Sequence, residues 1–189
     1  MAYGIPSSIY LLENDGTGSF KDVSNVKAPE FKDLGMVSDL SLIDLDNDGD
    51  DDVVAVGEWM GVALFENNGM SFKKIKGSRL DNLSGLYQSV YVTDLDVDGY
   101  QDIVIGNAGL NTRLKASQEY PLSLFINDFD RNGRMEQIFV QNDETGSYPL
   151  VQRADLLKKV PYLNKKYPNY KSFAPVSYTH LTLPTTPYV

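Results

Sequence analysis

Short apolar runs rich in β-branched and aromatic residues recur along this chain, each bounded by a cluster of Asp, Asn and Gly. LSLI, VYVT and LFIN lead into such clusters, and DVVAVG, DIVIGN and QIFVQN follow them. Runs this short, with this composition and these boundaries, predict strands. Between Gly35 and Gly77, SLIDL, DVVAVGEW, VALFEN and SFKKI succeed one another closely enough to form a unit of antiparallel strands. ADLLKKVPYLNKK breaks the pattern. Leu156, Leu157, Val160 and Leu163 recur there at helical spacing, which predicts an amphipathic helix kinked by Pro161, with Lys158 and Lys159 on its outer face.

The pattern also repeats. LLENDGTGSFKDV, Leu11 to Val23, matches LFENNGMSFKKI, Leu64 to Ile75, and aligns Glu13 with Glu66, Asn14 with Asn67, Gly16 with Gly69 and Phe20 with Phe72. Strand, N-D-G or N-N-G turn, strand is a hairpin signal. A period of about 50 residues holding about four short strands suits a β-propeller blade. One blade reads nearly whole, from Gly35 to Gly77. The end of an earlier blade lies at Ile9 to Val23, and further blades open at Ser89 and Leu122. The chain is thus expected to start and stop inside a repeat array.

The acidic clusters share one form, D-x-D-x-[DN]-G-x-x-[DE]: DLDNDGDDD at Asp44 to Asp52, DLDVDGYQD at Asp94 to Asp102, and DFDRNGRME at Asp128 to Glu136. Calcium takes six to eight oxygen ligands at roughly 2.3–2.6 Å, and alternating positions of a tight loop aim side-chain oxygens inward. Positions 1, 3 and 5 supply Asp44, Asp46 and Asp48 in loop one, Asp94, Asp96 and Asp98 in loop two, and Asp128, Asp130 and Asn132 in loop three. Glycine at position 6 permits the sharp turn. Position 7, Asp50, Tyr100 or Arg134, is expected to offer its main-chain carbonyl, and position 9, Asp52, Asp102 or Glu136, a further carboxylate. An EF-hand would need a glutamate at position 12 and flanking helices, but Ala55, Ile105 and Phe139 stand there, between strands. Mg²⁺ is disfavoured because it prefers a smaller octahedral shell and retained water.

Charge and composition narrow the function. The net charge of −9 lacks the clustered Lys and Arg that a nucleic acid demands. Much of it sits in the acidic loops, so the metal-free chain is expected to be electrostatically strained. No run of about 20 apolar residues indicates a membrane span. The opening MAYGIPSSIYLLEND lacks the form of a signal peptide, so an exported protein would begin further upstream. With no cysteine, and with the only histidine, His180, in a terminal segment expected to be non-native, Ser-His-Asp and Cys-His chemistry is not expected. Paired carboxylates can hydrolyse glycosides, but those holding calcium are ionised and occupied. Trp59 is expected to pack between blades rather than serve as a ligand platform. GNAGLNTR, with Asn107, Asn111, Thr112 and Arg113, is expected to be a structural loop rather than a polar pocket.

Strand, acidic loop, strand and the ENDG hairpin together resemble the FG-GAP or VCBS repeats of integrin-alpha-like propellers. DIVIGNAGLNT with the following KAS, and YPLVQRADLLKKVPYLNKKYPNYKSFA, are similar to segments of exported bacterial FG-GAP proteins of the UnbV type. The resemblance, over about residues 9–174, implies an all-β fold: a partial β-propeller of about three to four blades with a short C-terminal helical segment. It implies Ca²⁺ as the bound ion and an extracellular, periplasmic or cell-surface location. The expected organisation is propeller blades over 1–151, a helical insertion or extension over 152–174, and a non-native tail over 175–189. That tail, ending SYTHLTLPTTPYV, resembles a translated sequencing adapter. The expected function is a non-enzymatic module that binds a protein or carbohydrate ligand on the propeller face. The rival expectation is part of a calcium-dependent polysaccharide-degrading enzyme.

Overall fold

The computed structural model describes residues 7–109, 112 and 114–173, which fall into two compact units, 7–109 and the described residues from 112 onward. The expected tail from residue 175, and Asn111 and Arg113 of the polar loop, lie outside the described residues.

In the first unit, β1 (Leu12–Asn14) and β2 (Phe20–Asp22) form a small hairpin, followed by a single turn of helix, α1 (Ser24–Lys27), and a 3-10 turn at Pro29–Phe31. The four strands of the central blade come next: β3 (Met36–Ile43), β4 (Asp52–Met60), β5 (Ala63–Asn67) and β6 (Phe72–Lys74), each antiparallel to its neighbour in sequence. Then β7 (Gly85–Thr93) pairs with β8 (Asp102–Asn107), and the start of β7 pairs with the end of β4. Strand β3 begins before the predicted SLIDL. Its first half carries polar Ser38 and Asp39, whose side chains bond to the β7 backbone: Ser38 Oγ donates to the Tyr87 carbonyl at 2.7 Å, and Asp39 Oδ2 accepts the Val90 N–H at 2.9 Å.

Strand β4 explains the continuous apolar run DVVAVG. Val53 and Ala55 belong to one buried cluster with Ala28, Phe31, Ala63 and Phe65. Val54 and Val56 belong to another with Ile43, Val62, Leu64, Tyr87 and Val90. Successive side chains of a strand point to opposite faces, so this blade is covered on one face by the segment before it and on the other by the strands after it. A strand buried on both faces has no polar side to show. The close packing leaves no room at Gly57, where a Cβ would lie 2.1 Å from the Met36 carbonyl oxygen.

The matched hairpins use matched chemistry. Asn14 Oδ1 accepts the Gly16 N–H at 2.9 Å, and Asn67 Oδ1 accepts the Gly69 N–H at 3.0 Å. Both glycines have left-handed φ, +84° and +75°, which glycine adopts without a steric penalty.

In the second unit β9 (Ser123–Asn127), β10 (Glu136–Asp143) and β11 (Gly146–Pro149) form an antiparallel sheet, followed by α2 (Arg153–Lys159), α3 (Leu163–Lys166) and α4 (Tyr170–Phe173). The helix predicted around Pro161 is two helices. A residue before proline is pushed out of the helical region, and Val160 sits at φ −137°, ψ 70°. Leu156, Val160 and Leu163 are buried against Phe125, Ile138 and Val140, as the helical spacing predicted. Lys158 is outside, paired with Asp155, but Lys159 donates from Nζ to the Gln137 carbonyl of β10 and so joins helix to sheet.

Replacing Gly57 with Ala tests the two-sided packing. The new methyl meets backbone that cannot rotate away, and overpacking of this kind destabilises by about 1–3 kcal/mol or more. Chemical denaturation of Gly57→Ala is expected to show that loss, whereas an unchanged midpoint would mean β3 and β4 are not this close.

Candidate metal centres

Each acidic loop spans one strand-to-strand corner, and all three corners close identically. The last register pairs before the loops are Ile43 with Asp52, Thr93 with Asp102, and Asn127 with Glu136. The position 9 carboxylate accepts the backbone N–H of position 2, Leu45, Leu95 or Phe129, at 2.9 Å in every case.

Inside that closure the first aspartate organises the turn. Asp44, Asp94 and Asp128 accept through Oδ1 the N–H of position 5, at 3.2, 3.2 and 2.9 Å, and through Oδ2 the N–H of the glycine, at 3.2, 2.9 and 2.8 Å. Position 5 in turn accepts the N–H of position 7. Asp48 takes it from Asp50, Asp98 from Tyr100 and Asn132 from Arg134, each at 2.8 Å. Position 4 is left-handed in all three loops: Asn47 at φ +58°, Val97 at +63° and Arg131 at +61°. Asparagine accepts that conformation, whereas a β-branched residue is strained in it.

Carboxylate oxygens therefore converge. Asp44, Asp46 and Asp48 each offer one oxygen within 4.8 Å of the others, as do Asp94, Asp96 and Asp102, and Asp128, Asp130 and Glu136. Oxygens on one calcium ion, at roughly 2.3–2.6 Å from it, are no more than about 5 Å apart. These all-oxygen sets fit a hard divalent cation, with neither sulfur nor imidazole to favour a softer one.

The three loops differ in their fourth acidic or amide residue. Asp52 is 1% exposed and has both oxygens engaged, one by Leu45 and the other by the Asn67 N–H at 2.6 Å. It joins loop one to the hairpin of its own blade. Asp98 stands outside the converging trio of loop two. Asn132 directs its amide nitrogen to Asp130 Oδ2 at 2.7 Å while its oxygen holds Arg134. To ligate a cation it has to turn that amide over.

Residues the sequence pattern did not single out also act here. Gln101 Oε1 accepts the Asp44 N–H at 3.1 Å and joins loop two to loop one. Asn67, noted only as a turn residue, supplies the buried bond to Asp52. Trp59 has left-handed φ, +60°, at a bulge between Glu58 and Met60, and is half-buried. Asn107 bonds backbone on both sides, accepting the Leu86 and Gly109 N–H groups at 3.2 and 3.1 Å.

Comparison with known proteins agrees with this repeated corner. The model of one family, described as an FG-GAP-like repeat, matches residues 1–55 and 44–105. The chain belongs to the FG-GAP-like repeat family. The two FG-GAP-like matches overlap on loop one and its following strand, and the second takes in loop two. Loop three lies beyond both matches and shares the hydrogen-bond geometry of the other two loops. No curated protein and no solved structure matches the chain.

Relief of backbone strain gives a test of the shared loop geometry. Val97 is 87% exposed, so its side chain loses little packing when replaced. A left-handed conformation disfavours such a residue by roughly 1–2 kcal/mol. Val97→Asn is expected to raise stability by about 1 kcal/mol in thermal melts, and no gain would argue against a left-handed backbone there.

Proposed function

We propose that this chain is part of an extracellular, calcium-binding propeller module. The Ca²⁺ ions brace the corners between strands, and the propeller face presents a non-catalytic surface to a protein or carbohydrate ligand. FG-GAP-like repeats are generally interaction modules of extracellular proteins. Among the described residues no helix is long and apolar enough to cross a membrane. The observation that carries the calcium reading is the threefold convergence of carboxylate oxygens within 4.8 Å, on three loops of one backbone form.

In loop one Asp44, Asp46 and Asp48 would hold the ion, with the main chain of Asp50, and Asp52 would orient the loop. In loop two Asp94, Asp96, Asp98 and Asp102 would hold it with the Tyr100 carbonyl. In loop three Asp128, Asp130 and Glu136 would do so, with Arg134 through its carbonyl and Asn132 after its amide turns. The ion supplies positive charge where like charges meet, so it links both ends of a loop and fixes the angle between two strands. The proposed organisation is blades over 1–151, a helical extension over 152–174 and a non-native tail over 175–189. The module is placed outside the cytoplasm because FG-GAP-like repeats are typical of extracellular proteins.

Calorimetric titration with Ca²⁺ is expected to show two or three sites with weak competition by Mg²⁺, and Asp48→Ala and Asp98→Ala are each expected to remove one. No saturable signal at millimolar Ca²⁺ with folded protein would overturn the assignment.

A further inference from the structure

Beside loop three lies a cavity of about 560 Å³ whose walls come from that loop and from the break between α2 and α3. Its volume is that of a small-molecule site. Asn127, Asp128, Asp130 and Arg131 line one side, and Pro161 and Tyr162 the other. Tyr162 is 50% exposed although it sits between two helices whose neighbouring residues, Val160 and Leu163, are fully buried. The proline break thus turns an aromatic ring out of the core and toward the loop. Arg131 is exposed on the loop crest, and none of the ion pairs among the described residues includes it.

We infer that this cavity binds one uronate unit of an acidic polysaccharide, with its carboxylate between Arg131 and the loop-three cation and its ring against Tyr162 and Pro161. The inference rests on the calcium reading above and specifies the ligand class of that proposal. Three features favour this ligand. Arg131 lines the same cavity as Asp128 and Asp130, so with a divalent cation in loop three it would face a like charge, and a ligand carboxylate between them would turn that repulsion into two attractions. Position 5 of loop three is the neutral Asn132 where loops one and two carry a carboxylate, so the loop-three shell holds one negative charge fewer, which a ligand carboxylate restores. An aromatic face opposite polar side chains suits a sugar ring, which has apolar C–H faces and a hydroxylated rim. Asn127, whose Oδ1 already accepts the Asp128 N–H at 3.0 Å, retains its amide nitrogen as a donor to that rim.

The test uses the full chain in millimolar Ca²⁺ and digalacturonate as the probe, with binding followed by calorimetry. Saturable binding is expected. Tyr162→Ala, Arg131→Asn and exchange of Ca²⁺ for EDTA are each expected to weaken it about tenfold or more. Asparagine is chosen at position 131 because it tolerates the left-handed backbone. Occupancy of loop three is read separately, from tyrosine-sensitised Tb³⁺ luminescence that falls in Asp130→Ala. If that signal is present and digalacturonate does not bind, the sugar site is wrong and the calcium reading stands. If the signal is absent, both fail. Equal binding of neutral galactobiose overturns the role of the carboxylate. Capture of an acidic peptide that depends on Arg131 but not on Tyr162 makes the site one for protein side chains and overturns the sugar assignment.

Discussion

The bond from the N–H of position 2 to the carboxylate of position 9, made at 2.9 Å in each acidic loop, is the constraint on which the strand corners depend. It brings the loop ends together, fixes the last register pair of each strand couple, and sets the turn inside which the remaining acids must lie. Once the ends are closed, position 1 can take the N–H groups of positions 5 and 6, and its carboxylate is drawn to the inside of the turn. Position 3 then meets it in all three loops, joined by position 5 in loop one and by position 9 in loops two and three. A fold that closes its corners in this way concentrates negative charge at each corner. Two like charges about 4 Å apart repel by roughly 1 kcal/mol in bulk water and about 4 near a protein surface. That repulsion supplies the physical reason for proposing a divalent cation at the same place.

The apolar core depends on the corners in turn. Strand β4 is buried on both faces, so its pairing with β3 and β5 must hold the register that sends Val53 and Ala55 one way and Val54 and Val56 the other. A slip of one residue would exchange the two faces. Asp52 opposes that slip directly. It is the first residue of β4, almost fully buried, and bonded at one oxygen to the loop behind it and at the other to the start of the hairpin turn after β5. In the second unit, Leu156, Val160 and Leu163 cover the β9–β10 sheet, and Lys159 reaches the β10 backbone.

Much of this was legible in the sequence because single residues have single local roles. An aspartate or asparagine at fixed spacing before a glycine specifies its own turn, so the three loops and the two matched hairpins could be read from their residues alone. The strands between them followed from short β-branched runs. What escaped were roles set by distant partners. Ser38 and Asp39 look like turn residues until β7 lies beside them, and their presence hid the first half of β3. Gln101 reads as a spacer in loop two, yet its side chain serves loop one. The break at Val160 and Pro161 was legible as a kink but not as an end, because the helical spacing of Leu156, Val160 and Leu163 continues through it. The cavity under Tyr162 was not legible at all, since it joins loop three to residues some thirty positions later.

The account stands or falls on whether cations hold the corners, and thermal melting with and without chelator measures that most directly. A ligand at 100 times its Kd stabilises the folded state by about 2.7 kcal/mol per site, and each kcal/mol moves the midpoint of a chain this size by roughly 2–4 °C. Two or three sites therefore predict a fall of more than about 10 °C in EDTA, restored by excess Ca²⁺ and not by Mg²⁺. Melting curves that superimpose with and without EDTA would contradict it.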